Sequence, residues 1–208
     1  MVSTKRLSAR NRPARENGSE RRAELLAIAG ELFATRGFLA TTVRDIADAA
    51  GILSGSLYHH FDSKEAMVDE ILREFLDDQR QANAKIIEEA EDPRTALTEL
   101  IKRSYAALRQ HPAAIAIFQN EANYLAQFER FDYLPGVADE FEKTWLKVLQ
   151  EGQKSGVFRE DLNAKLTYRF IRDTVWTTVH WFNPNGKLSI KSIADQYINI
   201  LCDGIVTR

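Results

Sequence analysis

The sequence predicts an all-α protein, in which a three-helix N-terminal domain with a helix-turn-helix precedes a larger helical body. Three observations carry this prediction. Apolar residues recur at the i, i+3, i+4 spacing of amphipathic helices, Gly and Pro fall at intervals of about one helix length, and no segment alternates convincingly in the pattern of a strand. At 208 residues the chain is long enough to bury a sizeable core.

The N-terminal domain is predicted to start with a helix over about 19–36, which Gly37 ends. One face of this helix is apolar, and its residues are Leu25, Ile28, Ala29 and Leu32. A second helix is predicted over 43–50, capped by Thr41 or Thr42, because a hydroxyl oxygen can accept a first-turn N–H. Gly51 ends this helix by supplying a left-handed conformation at little cost.

A third and shorter helix follows Gly51, and it places Leu57 and Phe61 on its inner face. The outer face carries small or polar side chains without negative charge: Ser54, Gly55, Ser56, Tyr58 and His59. Two short helices around a glycine turn, the second with a polar face, are typical of a helix-turn-helix that enters the DNA major groove. We expect His59 on the outside and His60 partly inside, since His60 lies next to the apolar stripe.

The body is predicted to contain six further helices, over about 63–91, 93–110, 113–126, 135–153, 163–182 and 189–206. Pro93, Pro112 and Pro135 open three of them, since proline is well tolerated in a first helical turn. Gly156 breaks another, and 183–186, which read Asn-Pro-Asn-Gly, form a strong turn signal.

The N-terminal segments resemble the DNA-binding domain of TetR-family transcriptional repressors. The resemblance rests on 23–38, 42–47, 55–61 and 63–65, which are roughly a quarter of the chain. It implies a homodimer that represses transcription at a palindromic DNA site and is released by a small-molecule effector. The chain then divides into a flexible basic arm (1–18), a helix-turn-helix DNA-binding domain (19–64) and an effector-binding and dimerisation domain (65–208).

The resemblance also assigns DNA contacts to individual residues. Thr42 and Arg44 would meet phosphates or an outer base, and Lys64 would hold a phosphate at the start of the fourth helix. The major groove would be lined by Ser54, Gly55, Ser56, Tyr58 and His59. One position departs from the family pattern, because Leu53 stands where a capping Ser or Thr is usual. Either Ser54 takes over the cap or the helix starts one residue late, so the register of the base contacts stays open.

Charge and composition restrict the remaining possibilities. The net charge is −2, yet residues 1–22 contain seven basic and two acidic residues, which favours phosphate contact by the N-terminus. A single cysteine, Cys202, excludes an intrachain disulfide and fits a reducing cytoplasm. The sequence has neither a membrane-spanning run nor a catalytic or cofactor-binding motif, so we expect neither an enzyme nor a cofactor. Consecutive helix positions point about 100° apart, so His59, His60 and Asp62 are not expected to bind a metal.

The body sequence suggests an effector pocket, because 115–133 and 166–182 are rich in aromatic residues. Arg169 and Asp173 can pair at i, i+4, which leaves Arg172 without an obvious local anion one turn from Trp176. An Arg beside a Trp can hold a phosphate and stack a planar ring. We therefore expect a CoA thioester to contact Arg172, Trp176, Phe118 and Tyr124.

Two other interpretations of the body remain open. Arg172 could instead pair across a dimer interface with Glu121 or Asp139. The whole protein could also be an architectural DNA-binding protein with a solid body and no ligand. The chain is similar to the subgroup of TetR-family repressors that controls lipid and steroid (cholesterol ring) catabolism, some of which respond to an acyl-CoA. Dimerisation is expected through the last two helices.

Overall fold

The computed structural model describes residues 14–203, with side chains from residue 18 onward, and these residues contain helices but no strand. The all-α prediction is confirmed. The helices are α1 (Ala14–Arg36), α2 (Val43–Ala49), α3 (Ser54–Leu57), α4 (Lys64–Glu89), α5 (Pro93–Gln110), α6 (Pro112–Leu125), α7 (Leu134–Lys154), α8 (Ala164–Thr177) and α9 (Ile190–Asp203). Short 3-10 turns lie at Glu129–Phe131 and Thr178–His180. Within this described range, no helix is long and apolar enough to cross a membrane.

The first helix starts earlier than the sequence indicated. Residues 14–18 belong to α1 rather than to a flexible arm, and residues 1–13 of the predicted arm lie outside the described part of the chain. Arg21 and Arg22, which the sequence placed among cations available for phosphate, contact the protein itself. Arg21 donates to the carbonyl of Ala50 at 3.1 Å, and Arg22 pairs with Glu70 of α4.

The DNA-binding domain packs α1, α2 and α3 against the first turns of α4. Its buried centre comprises Leu25, Ala29, Phe33, Phe38, Ile46, Ala47, Leu57, Phe61, Met67 and Val68. The second helix is held by a capping box, in which the Asp45 N–H donates to the Thr42 hydroxyl at 3.1 Å. The hydroxyl in turn donates to the Asp45 carboxylate at 2.5 Å, and this contact lowers the pKa of Asp45.

The long helix α4 runs from the DNA-binding domain into the body. Its buried side chains include Met67 and Val68 at one end and Leu72, Phe75 and Leu76 farther along. At 1.5 Å per residue its 26 residues span about 39 Å. In the body, α5 lies at the centre and contacts α4, α7, α8 and α9. One unbroken helix therefore contributes buried side chains to both domains, whose buried residues form one continuous core.

The C-terminal end of α7 contains a glycine that the fold requires. A Cβ placed on Gly152 would lie 2.0 Å from the ring of Phe158, which folds back over the helix after the turn at Gly156. Gly136, in the first turn of the same helix, has no atom within 4 Å of its ideal Cβ position.

We predict that Gly152→Ala lowers the free energy of unfolding by about 1–3 kcal/mol, since Phe158 must leave its packed position. Gly136→Ala serves as the matched control and should be neutral or stabilising by up to about 1 kcal/mol. Urea denaturation at equal protein concentration measures both changes. Equal midpoints for the two variants would contradict the requirement for glycine at 152.

Candidate DNA-binding surface and ligand cavity

The outer face of α2 and α3 exposes most of the side chains predicted to contact DNA. Tyr58 is 55% exposed, and Arg44, Gly55, Ser56 and His59 are also exposed. Leu57 and Phe61 are buried on the opposite face. His60 is half-buried with its ring 6.5 Å from that of Phe61, as the apolar stripe predicted.

Three of the predicted DNA contacts surround one shallow depression of about 330 Å³ on this surface. Thr42, Tyr58 and Lys64 all line it, together with the acids Asp62 and Glu65. The depression thus combines hydroxyl and ammonium groups with two carboxylates, which would repel a phosphate that came close to them.

Lys64 has a role inside the protein that the sequence did not indicate. Its ammonium donates to the carbonyl oxygens of Phe38 at 2.9 Å and Thr41 at 3.1 Å. It also lies 4.2 Å from the centre of the Phe38 ring. An ammonium has three N–H donors, so one of them remains for a phosphate while the other two fix the loop between α1 and α2.

The structure shows where α3 begins, which the sequence left open. The helix starts at Ser54, and Leu53 occupies the cap position without a side-chain hydrogen bond among the described residues. Ser54 therefore does not take over the cap, nor does the helix begin one residue late. Leu53 is 80% exposed at the leading edge of the helix.

A cavity of about 630 Å³ lies inside the body, between α4, α5, α6, α7 and α8. This volume is within the usual range for small-molecule sites. Most of the wall is apolar or aromatic, with Phe75, Phe118, Phe141, Trp145, Tyr168 and Trp176 as its large members. The rings of Phe75 and Trp176 meet edge to face, 6.1 Å apart.

Arg172, Trp176 and Phe118 line this cavity, as the sequence predicted. The expected pairing of Arg169 with Asp173 is wrong, because Arg172 pairs with its neighbour Asp173 at 2.8 Å. That contact raises the pKa of Arg172, which stays cationic. Arg172 remains partly exposed, with 39% of its side chain accessible. The cavity therefore reaches solvent beside this cation.

Tyr124 does not line the cavity, so its predicted ligand contact is wrong. It lies on another face of α6, where its ring packs 6.2 Å from Phe38 and 5.4 Å from Phe128. Glu121, one of the two acids considered as a partner for Arg172 across a dimer interface, accepts a hydrogen bond from the Phe38 N–H of its own chain at 3.1 Å. Asp139, the other proposed partner, lines the cavity.

Sequence reasoning missed three polar side chains in the cavity wall. Gln79 and Asn83 of α4 and Ser104 of α5 are all buried and line it. A signal was present, since Gln79 and Asn83 continue the i, i+4 apolar stripe from Leu72, Phe75 and Leu76.

Comparison with known proteins identifies the family. The profile described as "Bacterial regulatory proteins, tetR family" matches residues 25–71. The profile described as "Tetracyclin repressor-like, C-terminal domain" matches residues 90–205, more than half of the chain. The chain belongs to the TetR family.

Individual relatives of this TetR-family chain are transcriptional repressors. The HTH-type transcriptional repressor KstR2 of Rhodococcus jostii (strain RHA1) is 51% identical over 189 residues, which cover 91% of this chain and 93% of the relative. The structure of the ketosteroid transcriptional regulator KstR2 of Mycobacterium tuberculosis has a TM-score of 0.86 at 47% identity, covering 90% of this chain and 96% of that one.

These findings confirm the prediction of a DNA-binding helix-turn-helix repressor, and one of its relatives is described as a ketosteroid transcriptional regulator. They agree with the expectation that the protein is not an enzyme. A more distant structure, AibR in complex with isovaleryl coenzyme A and operator DNA, has a TM-score of 0.76 at 20% identity, covering 88% of this chain and 98% of that one. At this identity the likeness concerns the fold alone.

Proposed function

We propose that this protein is a homodimeric repressor that binds a palindromic operator and is released by a CoA thioester from lipid or steroid catabolism. The cavity of about 630 Å³ beside Arg172 and Trp176 is the observation that carries the effector part. The alternative, an architectural DNA-binding protein, needs a solid body, and a cavity of this size argues against it. One relative is described as a ketosteroid transcriptional regulator, which supports a steroid-derived acyl group.

The walls of the cavity favour a ligand with one anionic and one apolar part. Its aromatic lining suits a ring system or acyl chain, and Trp176 offers an indole face for stacking. Among the described residues that line the cavity, Arg172 is the one with a positive charge, whereas Asp139, Glu142 and Asp173 are negative. A phosphate must therefore lie beside Arg172, where it would compete with Asp173. Because a CoA thioester exceeds a drug-sized ligand, its nucleotide would extend past Arg172 into solvent.

We predict that Arg172→Ala weakens binding of an acyl-CoA by about 10- to 100-fold, the usual effect of losing a charge-assisted hydrogen bond. Trp176→Ala should have a comparable effect through lost stacking. The matched control is Arg169→Ala, an exposed neighbour on α8 outside the cavity. Isothermal titration of acyl-CoAs measures affinity, and operator gel shifts with added ligand measure release. The effector assignment would be overturned if both variants bound acyl-CoAs as tightly as the parent. It would also be overturned if no acyl-CoA released the parent protein from its operator.

The DNA contacts are proposed as the family motif assigns them: Thr42, Arg44, Ser54, Gly55, Ser56, Tyr58, His59 and Lys64. The exposure of the outer face of α2 and α3 and the depression between Thr42, Tyr58 and Lys64 support this assignment. The hydroxyl of Thr42 already makes two capping contacts with Asp45. The backbone N–H of Thr42 also donates to Asp45, at 2.8 Å. A phosphate contact at Thr42 would therefore require one of these two donors, the hydroxyl or the N–H, to be shared with Asp45 or released from it.

We predict that Tyr58→Ala weakens operator binding by about 1–3 kcal/mol. Tyr58→Phe should lose only the share of that binding free energy that the hydroxyl contributes. Arg44→Gln should reduce the slope of log affinity against log salt concentration by about one, as for one lost phosphate contact. Arg109→Gln, an exposed change on α5, is the control with no expected effect. Gel-shift titrations at several salt concentrations test these values. Unchanged affinity and slope in the Tyr58 and Arg44 variants would remove the DNA-contact assignment.

Dimerisation through α8 and α9 is supported by apolar side chains left exposed there. Leu166 and Phe170 share one face of α8, and Phe170 is 63% exposed; Trp181 and Ile200 are also exposed. Part of the apolar face of α9 packs on its own chain, since Tyr197 contacts Tyr105 at 6.0 Å between ring centres. We therefore place the centre of the two-fold interface on the exposed face of α8 rather than on α9. In such a dimer the two α3 helices would lie about 34 Å apart, which is one turn of DNA.

We predict that Phe170→Asp weakens the dimer by about 30-fold or more, because a charge would enter the centre of an apolar interface. Operator affinity should fall with it. Leu39→Asp is the control for dimerisation, since Leu39 is an exposed leucine in the loop between α1 and α2. Sedimentation equilibrium across micromolar concentrations distinguishes the two. A Phe170→Asp protein as dimeric as its parent would locate the interface elsewhere.

We propose that two helices transmit ligand binding to the DNA-binding domain. Phe75 of α4 and Phe118 of α6 line the cavity. The same helices reach Phe38, through Lys64 of α4 and Glu121 of α6. A ligand releases DNA only if it binds the arrangement of the dimer that cannot bind DNA more tightly than the arrangement that can. The coupling free energy between two such sites is typically about 1–3 kcal/mol.

A further inference from the structure

Leu53 is the most exposed of the large apolar side chains in the described part of the chain, at 80%. It stands directly before α3 and is continuous with the exposed surface of Gly55, Ser56 and Tyr58. A single exposed leucine is ordinary on a protein surface. This one borders the surface proposed to enter the major groove, so DNA binding would change what surrounds it.

The backbone around Leu53 holds its side chain outward. The Ile52 N–H donates to the Ala47 carbonyl at 3.0 Å, and the Leu53 carbonyl accepts from the Ser56 N–H at 2.9 Å. Leu53 is extended, at φ −74° and ψ 143°. Successive side chains of an extended segment point to opposite sides. Since Ile52 packs against the hydrophobic core, Leu53 points away from it.

Local stability does not explain a leucine at this position. Ser, Thr, Asp and Asn are preferred here, because their oxygen accepts a first-turn N–H of the helix. Leu53 makes no such hydrogen bond among the described residues. Its exposure also means that it adds little to the buried apolar surface. A leucine here therefore stabilises neither the helix nor the core, and its apolar side chain becomes useful only in a complex.

The surroundings of Leu53 leave room for the edge of a base. The residues that follow it are small, and an ideal Cβ on Gly55 has no atom within 4 Å. Base pairs present hydrogen-bonding groups in the major groove, and thymine alone adds an apolar group there, its C5-methyl. A leucine side chain has neither donor nor acceptor. The methyl group is therefore the feature of a base edge that matches it.

We propose that Leu53 reads a thymine methyl group in each half of the operator, as an apolar specificity contact beside the polar contacts of Ser56 and Tyr58. This inference rests on the proposed DNA contacts of α3. Because a two-fold dimer presents the same residue to both half-sites, the two thymines form a symmetric pair.

The test replaces thymine by uracil, which lacks only the methyl group. The full-length protein first selects its preferred palindrome from a pool of random DNA duplexes. Each symmetric thymine pair is then replaced by uracil in turn, and fluorescence anisotropy titrations measure the affinity. At one pair we expect uracil to weaken the parent about fourfold for each methyl lost, or about 15-fold for the pair, as burial of one carbon group implies.

Substitutions at Leu53 assign this discrimination to its side chain. Leu53→Ser provides a capping hydroxyl but no apolar group, so it should bind the thymine and uracil duplexes within about twofold of each other. It should also bind the uracil duplex about as tightly as the parent does, which shows that the variant is folded. Leu53→Met keeps an apolar side chain and should keep most of the discrimination. Leu162→Ser, at an exposed leucine of the body, is the matched control and should behave like the parent.

The possible failures are distinguishable. If the parent discriminates at no thymine pair, or Leu53→Ser keeps the discrimination of the parent, Leu53 does not read a methyl group and the proposed polar contacts of α3 stand. If the full-length protein enriches no duplex from the pool, the proposed operator binding is itself wrong and the inference on Leu53 falls with it.

Discussion

The DNA-binding domain is joined to the body where α1 packs on α6 and α4, and Phe38 at the end of this contact touches both of those helices. Its N–H donates to Glu121 of α6, its carbonyl accepts from Lys64 of α4, and its ring lies between the Lys64 ammonium and Tyr124. Gly37, at φ +86°, makes the turn that presents it. Two of the five helices that line the cavity, α4 and α6, thus contact the same residue of the DNA-binding domain.

The continuity of α4 determines how far such a shift extends. Its helix runs unbroken from Lys64 to Glu89, and its buried face extends from Met67 near α3 to Phe75 in the cavity wall within one continuous core. Close-packed side chains respond to displacement by moving between discrete arrangements rather than by deforming gradually. Under the proposed mechanism, a ligand contact at Phe75 would therefore act on the packing of α2 and α3 through a rigid element, and α6 would provide a second route.

The sequence was sufficient for features set by local chemistry. The caps at Thr42 and Ser63 and the breaks at Gly37, Gly51 and Gly156 follow from residue type alone. The recognition helix was assigned from the order of small and apolar residues. Contacts that depend on packing were not accessible in this way. Asp173 pairs with its neighbour Arg172 rather than with Arg169, the partner expected at i, i+4. Tyr124 of α6 packs against Phe38 rather than facing the cavity. The partner of each side chain depends on which neighbouring helix packs against that face of its own helix.

The buried carboxamides of the cavity wall have a consequence for the evolution of this protein. Within residues 14–203, Gln79 and Asn83 leave two buried oxygens without a donor in the cavity wall, so this wall is less stable than an apolar wall of the same shape. Substitutions that fill such sites with apolar side chains commonly raise thermal stability at the expense of function. Selection for heat resistance alone would thus favour Leu or Met at 79 and 83. Retaining both carboxamides costs the body about 1–3 kcal/mol for each unpaired oxygen.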